Sequence, residues 1–268
     1  MASSPPVTDD RWERGDPYER YIGRWSRRVA PRFLSWLAAP AQRRWLDVGC
    51  GTGALTAAIV DHAQPASVSG VEPSEGFLAT AAQRLGVQAR LQRGSAAQMP
   101  LADASADVTV SGLVLNFTPD PSAALAEMTR VTAPGGTIAA YVWDYADGMQ
   151  LIRRFWDAAV ALDEQALALD EAKRFPLCRR DALAALFDSA GLQQVQTDAL
   201  EIETRFTDFD DYWRPFLGGQ GPAPAYAMQL DDAARTRLRE RLRAQLPTQP
   251  DGSIALVARA WAVQGRRR

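Results

Sequence analysis

Residues Leu46-Asp47-Val48-Gly49-Cys50-Gly51-Thr52-Gly53-Ala54-Leu55 decide how this chain is read. An apolar strand runs into an acid, then three glycines at spacing two, then the start of a helix. Glycines let the backbone turn sharply and let a ligand approach where a Cβ would stand in the way. The helix opening near Gly53 offers unpaired N–H groups to polar or anionic ligand atoms. Nineteen residues after Gly53, at the end of the next expected strand, stands Glu72. A carboxylate there can accept both hydroxyls of a ribose. A dinucleotide-binding turn shares the glycines and the distal acid, but its spacing is G-x-G-x-x-G. Here the third glycine comes one residue early, at Gly53, and position 54 is Ala. Asp47 would repel a pyrophosphate and suits an ammonium group. The combination points to a nucleoside ligand with a positive amino-acid tail.

Outward from this stretch, short apolar runs predict strands at 44–49, 67–72, 89–94, 107–112 and 136–143. Helical spacing predicts helices at 53–63, 75–85 and 121–132, the last stopped by Pro134-Gly135-Gly136. Such alternation implies a parallel sheet with right-handed crossovers. Further on, a helix at 180–190 closes at Gly191, and strands follow at 194–206 and 253–264. The second is apolar on both faces apart from Arg259, which predicts cover on both sides. Between these strands lie aromatics (Phe206 to Phe216), a Gly/Pro loop (Gly218 to Pro224) and a charged helix at 231–245. Residues 1–16 read as a mobile leader, and 18–38 as an amphipathic helix broken or restarted near Pro31. The expected organisation is a leader and helical lid over 1–40, a core over 41–206, an inserted cap over 207–250, and the last strand with its tail over 251–268.

Composition removes several classes. Of 268 residues, 47% are hydrophobic and 23% charged, enough apolar content for a sizeable core. A net charge of −2 argues against nucleic-acid binding through a general basic surface. No apolar run approaches a membrane span, and the N-terminus has no signal-peptide core, so the expectation is a cytoplasmic protein, monomer or homodimer. One histidine, His62, and two cysteines leave no set for a metal centre or a disulfide framework. Lys173 is the single lysine and sits in no phosphate-binding loop.

LDVGCGTG closely resembles the first motif of the class I S-adenosylmethionine-dependent methyltransferases, in particular the broad group called type 11. The resemblance covers about residues 44–144. It implies a Rossmann-like α/β fold: a mostly parallel seven-stranded sheet with an antiparallel last strand, helices on both faces, and a small helical lid and cap. The implied cofactor is S-adenosyl-L-methionine, with S-adenosyl-L-homocysteine as product. Carried over, Asp47, Gly49, Cys50, Gly51 and Gly53 would surround its methionine part, and Glu72, with Pro73 and Ser74, its ribose. Gly94-Ser95-Ala96 stands where the family has Gly-Asp-Ala near the adenine, so Ser95 implies a weaker contact or one from the backbone at Ala96. Ser111 to Asn116 (SGLVLN) matches the fourth motif, whose backbone near Leu113 meets the methionine end. In the lid, Tyr21 and Arg24, with Tyr18, resemble residues that reach the cofactor's carboxylate.

Methyl transfer needs a nucleophile held in line and water excluded, with a general base where the nucleophile is a hydroxyl. Asn116 stands where many relatives carry a histidine, and His62 falls late in its helix, away from the strand ends. The candidate catalytic groups are therefore Asn116, Asp144 and Tyr145, at the strand edge where open parallel sheets bind ligands. Trp25, Asn116, Trp143, Tyr212, Trp213 and Phe216 are the candidate walls of an apolar pocket for a small-molecule acceptor. The reaction expected is methyl transfer to oxygen, nitrogen or carbon. The alternatives left open are an NAD(P)-dependent oxidoreductase and a module that binds the cofactor without turnover.

Overall fold

The computed structural model describes residues 19–219 and 221–268. The expected leader, Tyr18 and Gln220 of the Gly/Pro loop lie outside the described residues. Strands β1 (Arg44–Val48), β2 (Ser67–Glu72), β3 (Arg90–Arg93), β4 (Ala106–Gly112), β5 (Thr132–Trp143), β6 (Gln193–Phe206) and β7 (Ile254–Arg266) form one sheet. Among the described residues it has seven strands, ordered β3-β2-β1-β4-β5-β7-β6. The first five in that order are parallel, while β7 runs antiparallel to both β5 and β6. The strand order reverses beside β1, so the C-terminal ends of β1, β2 and β4 flank a crevice where such sheets take ligands.

The local chemistry explains the elements. Trp45, Leu46, Asp47 and Val48 are all buried because β1 lies inside the sheet, paired on both edges, with both of its faces covered. The helix Glu75–Leu85 starts where the Ser74 hydroxyl accepts from Phe77 N at 3.3 Å. The helix Pro121–Val131 starts where Asp120 accepts from Ala123 N at 3.0 Å, with Pro121 at the first helical position.

Five expectations change. The helix Arg24–Leu37 runs through Pro31 without a break. Its face of Val29, Ala30, Phe33 and Leu37 is buried against the sheet and the helix Ala54–His62, which outweighs one missing backbone bond. Pro134-Gly135-Gly136 does not separate helix from strand, because β5 begins at Thr132. It bulges instead: pairing jumps from Ala106↔Thr132 to Val108↔Thr137, with Gly135 at φ +73°. β7 buries one face fully and the other only in part, Arg259 lying over the Trp261 ring at 5.0 Å. Finally, a helix at Gln150–Val160, which no reading of the sequence above anticipated, carries Leu151, Ile152, Phe155 and Trp156 into the core. Part of the expected Gly/Pro loop is also helical, from Pro222 to Gln229.

The segment between β6 and β7 packs against that unanticipated helix. Tyr212 Oη donates to Leu151 O at 2.9 Å, and Phe216 stacks on Phe155 at 4.5 Å between ring centroids. Among the described residues, no helix is long and apolar enough to cross a membrane.

Candidate active site

The site grows from the C-terminal ends of β1, β2 and β4. Asp47 is 1% exposed, and its register partners are Gly70 on β2 and Val110 on β4. Its Oδ2 accepts from Thr56 Oγ1 at 2.7 Å, while its Oδ1 is buried with no hydrogen-bond partner. Burial first, and then the charge of Glu72, push the Asp47 carboxyl up to about 7. Glu72 is held from two sides. Its Oε2 accepts from Gly51 N and its Oε1 from Ser74 N, each at 3.0 Å. Burial raises its pKa, and these two bonds oppose the rise. One carboxylate thus ties the glycine loop to the start of the next helix.

Two glycines have a specific reason. At Gly49 the backbone has φ +72°, and a Cβ would stand 2.5 Å from the Val114 side chain. At Gly51, φ is +53° and a Cβ would meet nothing nearer than 4.0 Å, because it would project toward open space beside the cavity. Opposite the loop, Ser111 Oγ donates to Val48 O at 2.9 Å, fixing β4 to the end of β1. Leu113 follows in the left-handed region at φ +65°, with its N–H donating to Tyr141 O at 2.7 Å. A non-glycine residue there costs about 1–2 kcal/mol, and the bond to β5 holds it.

These parts enclose a cavity of about 380 Å³, within the usual range for small-molecule sites. Asp47, Gly49, Cys50, Gly51 and Glu72 line one end. Pro73, Ser74, Ser95 and Ala96 continue that wall, and Leu113 lies between it and a second end formed by Phe117, Trp143 and Tyr145. Among the described residues, two buried polar side-chain atoms on the walls lack partners: Asp47 Oδ1 and Trp143 Nε1.

Other expected site residues stand elsewhere. Gly53, at φ +83°, caps the helix Ala54–His62 behind the wall and packs near Ala81 and Leu85. Arg24 is turned away: its guanidinium meets Asp211 Oδ1 at 2.8 Å and lies over the Trp25 and Phe206 rings. Tyr21 is 2% exposed and packs edge-on against Phe216. Trp25 packs edge-on against Phe206. Instead, Ile22 and Ser26, one turn apart, supply the lid's contribution to the cavity. The cavity-facing side of this N-terminal stretch is rotated by about one residue from the expected one, roughly 100° on a helix. Aromatic identity drew attention to Tyr21 and Trp25, while apolar spacing alone could not rank Ile22 against them.

Tyr212, Trp213 and Phe216 do not line the cavity. Tyr212 and Phe216 are fully buried, and Trp213 stacks on Phe209 with ring planes 12° apart. Asp144 is likewise spent on structure. Its oxygens accept from Asp147 N, Gly148 N and Arg259 Nε at 3.2, 3.0 and 2.9 Å. That carboxylate is occupied by a guanidinium and two backbone donors, and Asp144 does not line the cavity. Asn116 lies off the wall, its Nδ2 buried without a partner. His62 ends its helix, exposed. Tyr145 is the one candidate catalytic group that reaches the cavity. Sequence reading missed Thr52, Phe77, Phe117 and Tyr141 on the walls.

The residues fit a cationic nucleoside. The unpaired Asp47 oxygen calls for a donor, the Glu72 carboxylate is preset for hydroxyls, and Gly51 leaves room for a ligand against the backbone. Residues 46–140 match the family model described as a methyltransferase domain. The chain is similar to the demethylmenaquinone methyltransferase of Bacillus licheniformis, at 30% identity over 168 residues, covering 56% of this chain and 71% of that protein. This chain belongs to the class I S-adenosylmethionine-dependent methyltransferases. It is an enzyme of that class. Among these methyltransferases it also resembles the malonyl-[acyl-carrier protein] O-methyltransferase of Serratia marcescens, 37% identical over 112 residues, or 42% of this chain and 43% of that protein. The fold is shared with Haemonchus contortus phosphoethanolamine N-methyltransferase 2, solved in complex with S-adenosyl-L-methionine. That likeness has a TM-score of 0.57 at 14% identity, covering 94% of this chain and 56% of the other. These methyltransferases are named for different acceptors, so family membership leaves the acceptor open.

Proposed function

We propose that the enzyme binds S-adenosyl-L-methionine in the 380 Å³ cavity and transfers its methyl group to oxygen, nitrogen or carbon of a small-molecule acceptor. The observation that carries this is the pair of carboxylates on one wall, Asp47 with an unpaired buried oxygen and Glu72 anchored by two backbone N–H groups. When bound, the sulfonium supplies an electrophilic methyl. Asp47 would take the ammonium of the amino-acid tail, and Glu72 the ribose hydroxyls. The backbone at Gly49, Gly51 and Leu113 would shape the path between tail and sulfonium. Phe117, Trp143 and Tyr145 would hold the acceptor in line and keep water out, which supplies most of the rate where proximity dominates. Calorimetric titration tests the reading: S-adenosylhomocysteine binds and NADPH does not. NADPH binding without S-adenosylhomocysteine binding would overturn it.

Asp47 makes that binding depend on pH. An ammonium needs the carboxylate form, and the free protein holds Asp47 half-protonated near pH 7. Affinity for S-adenosylhomocysteine should fall by up to about tenfold per unit as pH drops below 7, and level off above it. Stability runs the other way in the free protein. The folded-state value of about 7 lies above the ordinary 3.8, so this group's contribution to folding is full below about 4 and is lost as pH rises through 7. The thermal shift produced by S-adenosylhomocysteine should therefore be larger at pH 8 than at pH 5.5, and Asp47→Asn should flatten it. Equal dissociation constants at both pH values in the unsubstituted enzyme would remove Asp47 from the ammonium site.

No histidine serves as base in this reading. His62→Gln should keep turnover within about twofold at neutral pH, whereas loss of a general base costs roughly 10²–10⁴-fold. A loss of that size with cofactor affinity intact would return His62 to the mechanism.

A further inference from the structure

We infer that the indole N–H of Trp143 donates a hydrogen bond to an oxygen of the methyl acceptor, and that the acceptor is a planar conjugated ring bearing that oxygen. The inference rests on the reading that S-adenosyl-L-methionine occupies the Asp47–Glu72 end of the cavity. Trp143 is the last residue of β5, is 2% exposed, and lines the other end. Its Nε1 is buried with no hydrogen-bond partner. Buried donors in folded proteins are nearly always paired, so an unpaired one on a cavity-lining residue calls for an acceptor.

The indole is held firmly. Trp143 pairs with Ala260 on β7, and the next residue, Asp144, donates its N–H to Arg259 O at 2.9 Å. The Asp144 carboxylate then clamps the Arg259 guanidinium and the Gly148 N–H. This gives Asp144 a positioning role behind Trp143 in place of the catalytic one expected from sequence. Flat side chains line the cavity with Trp143. Tyr141, Tyr145 and Phe117 line the same end, and Phe175 braces two of them, lying 4.9 Å from the Phe117 ring and 5.8 Å from the Tyr145 ring. Rings so arranged favour another ring, stacked or edge-on. An indole N–H only donates, so the group facing it must accept. A cationic amine there would set donor against donor.

The test uses the whole enzyme saturated with S-adenosylhomocysteine and three probes: naphthalene, 1-naphthol and 1-methoxynaphthalene. Both oxygenated probes should bind roughly three- to tenfold more tightly than naphthalene. The methoxy compound accepts but cannot donate, so its preference reports a protein donor. Trp143→Phe keeps a ring in place and should collapse the preference below about twofold while leaving S-adenosylhomocysteine affinity unchanged. In ¹⁵N spectra, the indole signal absent from that variant should move on adding 1-naphthol and stay still with naphthalene. If the variant does not fold, the unsubstituted enzyme still decides. A preference for 1-naphthol without one for 1-methoxynaphthalene overturns the inference, as does no preference for either, or indole signals unmoved by every probe. Preference retained in Trp143→Phe does the same. An enzyme that fails to bind S-adenosylhomocysteine at all overturns the cofactor assignment instead.

Discussion

Glu72→Ala should weaken S-adenosylhomocysteine binding roughly tenfold to a hundredfold. Hydrogen bonds to a charged group are worth about 1.5–3 kcal/mol, and the proposed ligand would lose both ribose hydroxyl contacts. A second effect adds to the first. The Glu72 carboxylate also accepts from Gly51 N and Ser74 N, so removing it frees the loop whose positive-φ geometry shapes the cavity. Glu72→Gln separates the two contributions, since an amide oxygen still accepts one backbone N–H but carries no charge. Titration calorimetry should rank the affinities unsubstituted, Gln, then Ala. A folded Ala variant with unchanged affinity would show that the ribose lies elsewhere.

Phe216→Ala should lower unfolding stability by about 3–5 kcal/mol, the usual cost of removing a buried aromatic ring. For a chain of this size that is a fall of roughly 6–20 °C in Tm. Phe216 is fully buried and touches four rings: Tyr21 at 5.3 Å, Phe155 at 4.5 Å, Tyr212 at 5.4 Å and Trp213 at 6.1 Å. It joins the N-terminal segment, the helix Gln150–Val160 and the stretch after β6. In the folded fraction, cofactor affinity and acceptor preference should stay close to those of the unsubstituted enzyme. A stable variant with altered acceptor preference would put this aromatic group back on the acceptor pocket.

The aromatic stretch Phe206 to Phe216 shows where sequence reading stops. Dense aromatics suit a ligand wall and a core equally, because both remove flat apolar faces from water. The choice depended on the helix Gln150–Val160, which supplies the Phe155 ring to Phe216 and the Leu151 carbonyl to Tyr212. The same holds for the acids at strand ends. Asp47 and Asp144 look alike in sequence, yet Arg259 lies 115 positions from Asp144 along the chain and occupies it. Nothing comparable reaches Asp47 Oδ1.

The sequence by itself determined the sheet's parallel core, the glycine turn at 49–53 and the positions of Asp47 and Glu72. Each of these is set by local rules: alternation of strand and helix, backbone angles open to glycine, and short spacing between neighbouring βα units. Only the tertiary structure decided which face of the lid meets the cavity, which aromatics are core, and which polar atoms remain unpaired. Those outcomes depend on partners far apart in sequence. A hydrogen bond at Trp143 Nε1 or Asp47 Oδ1 is missing only once every element that could have supplied it has been packed.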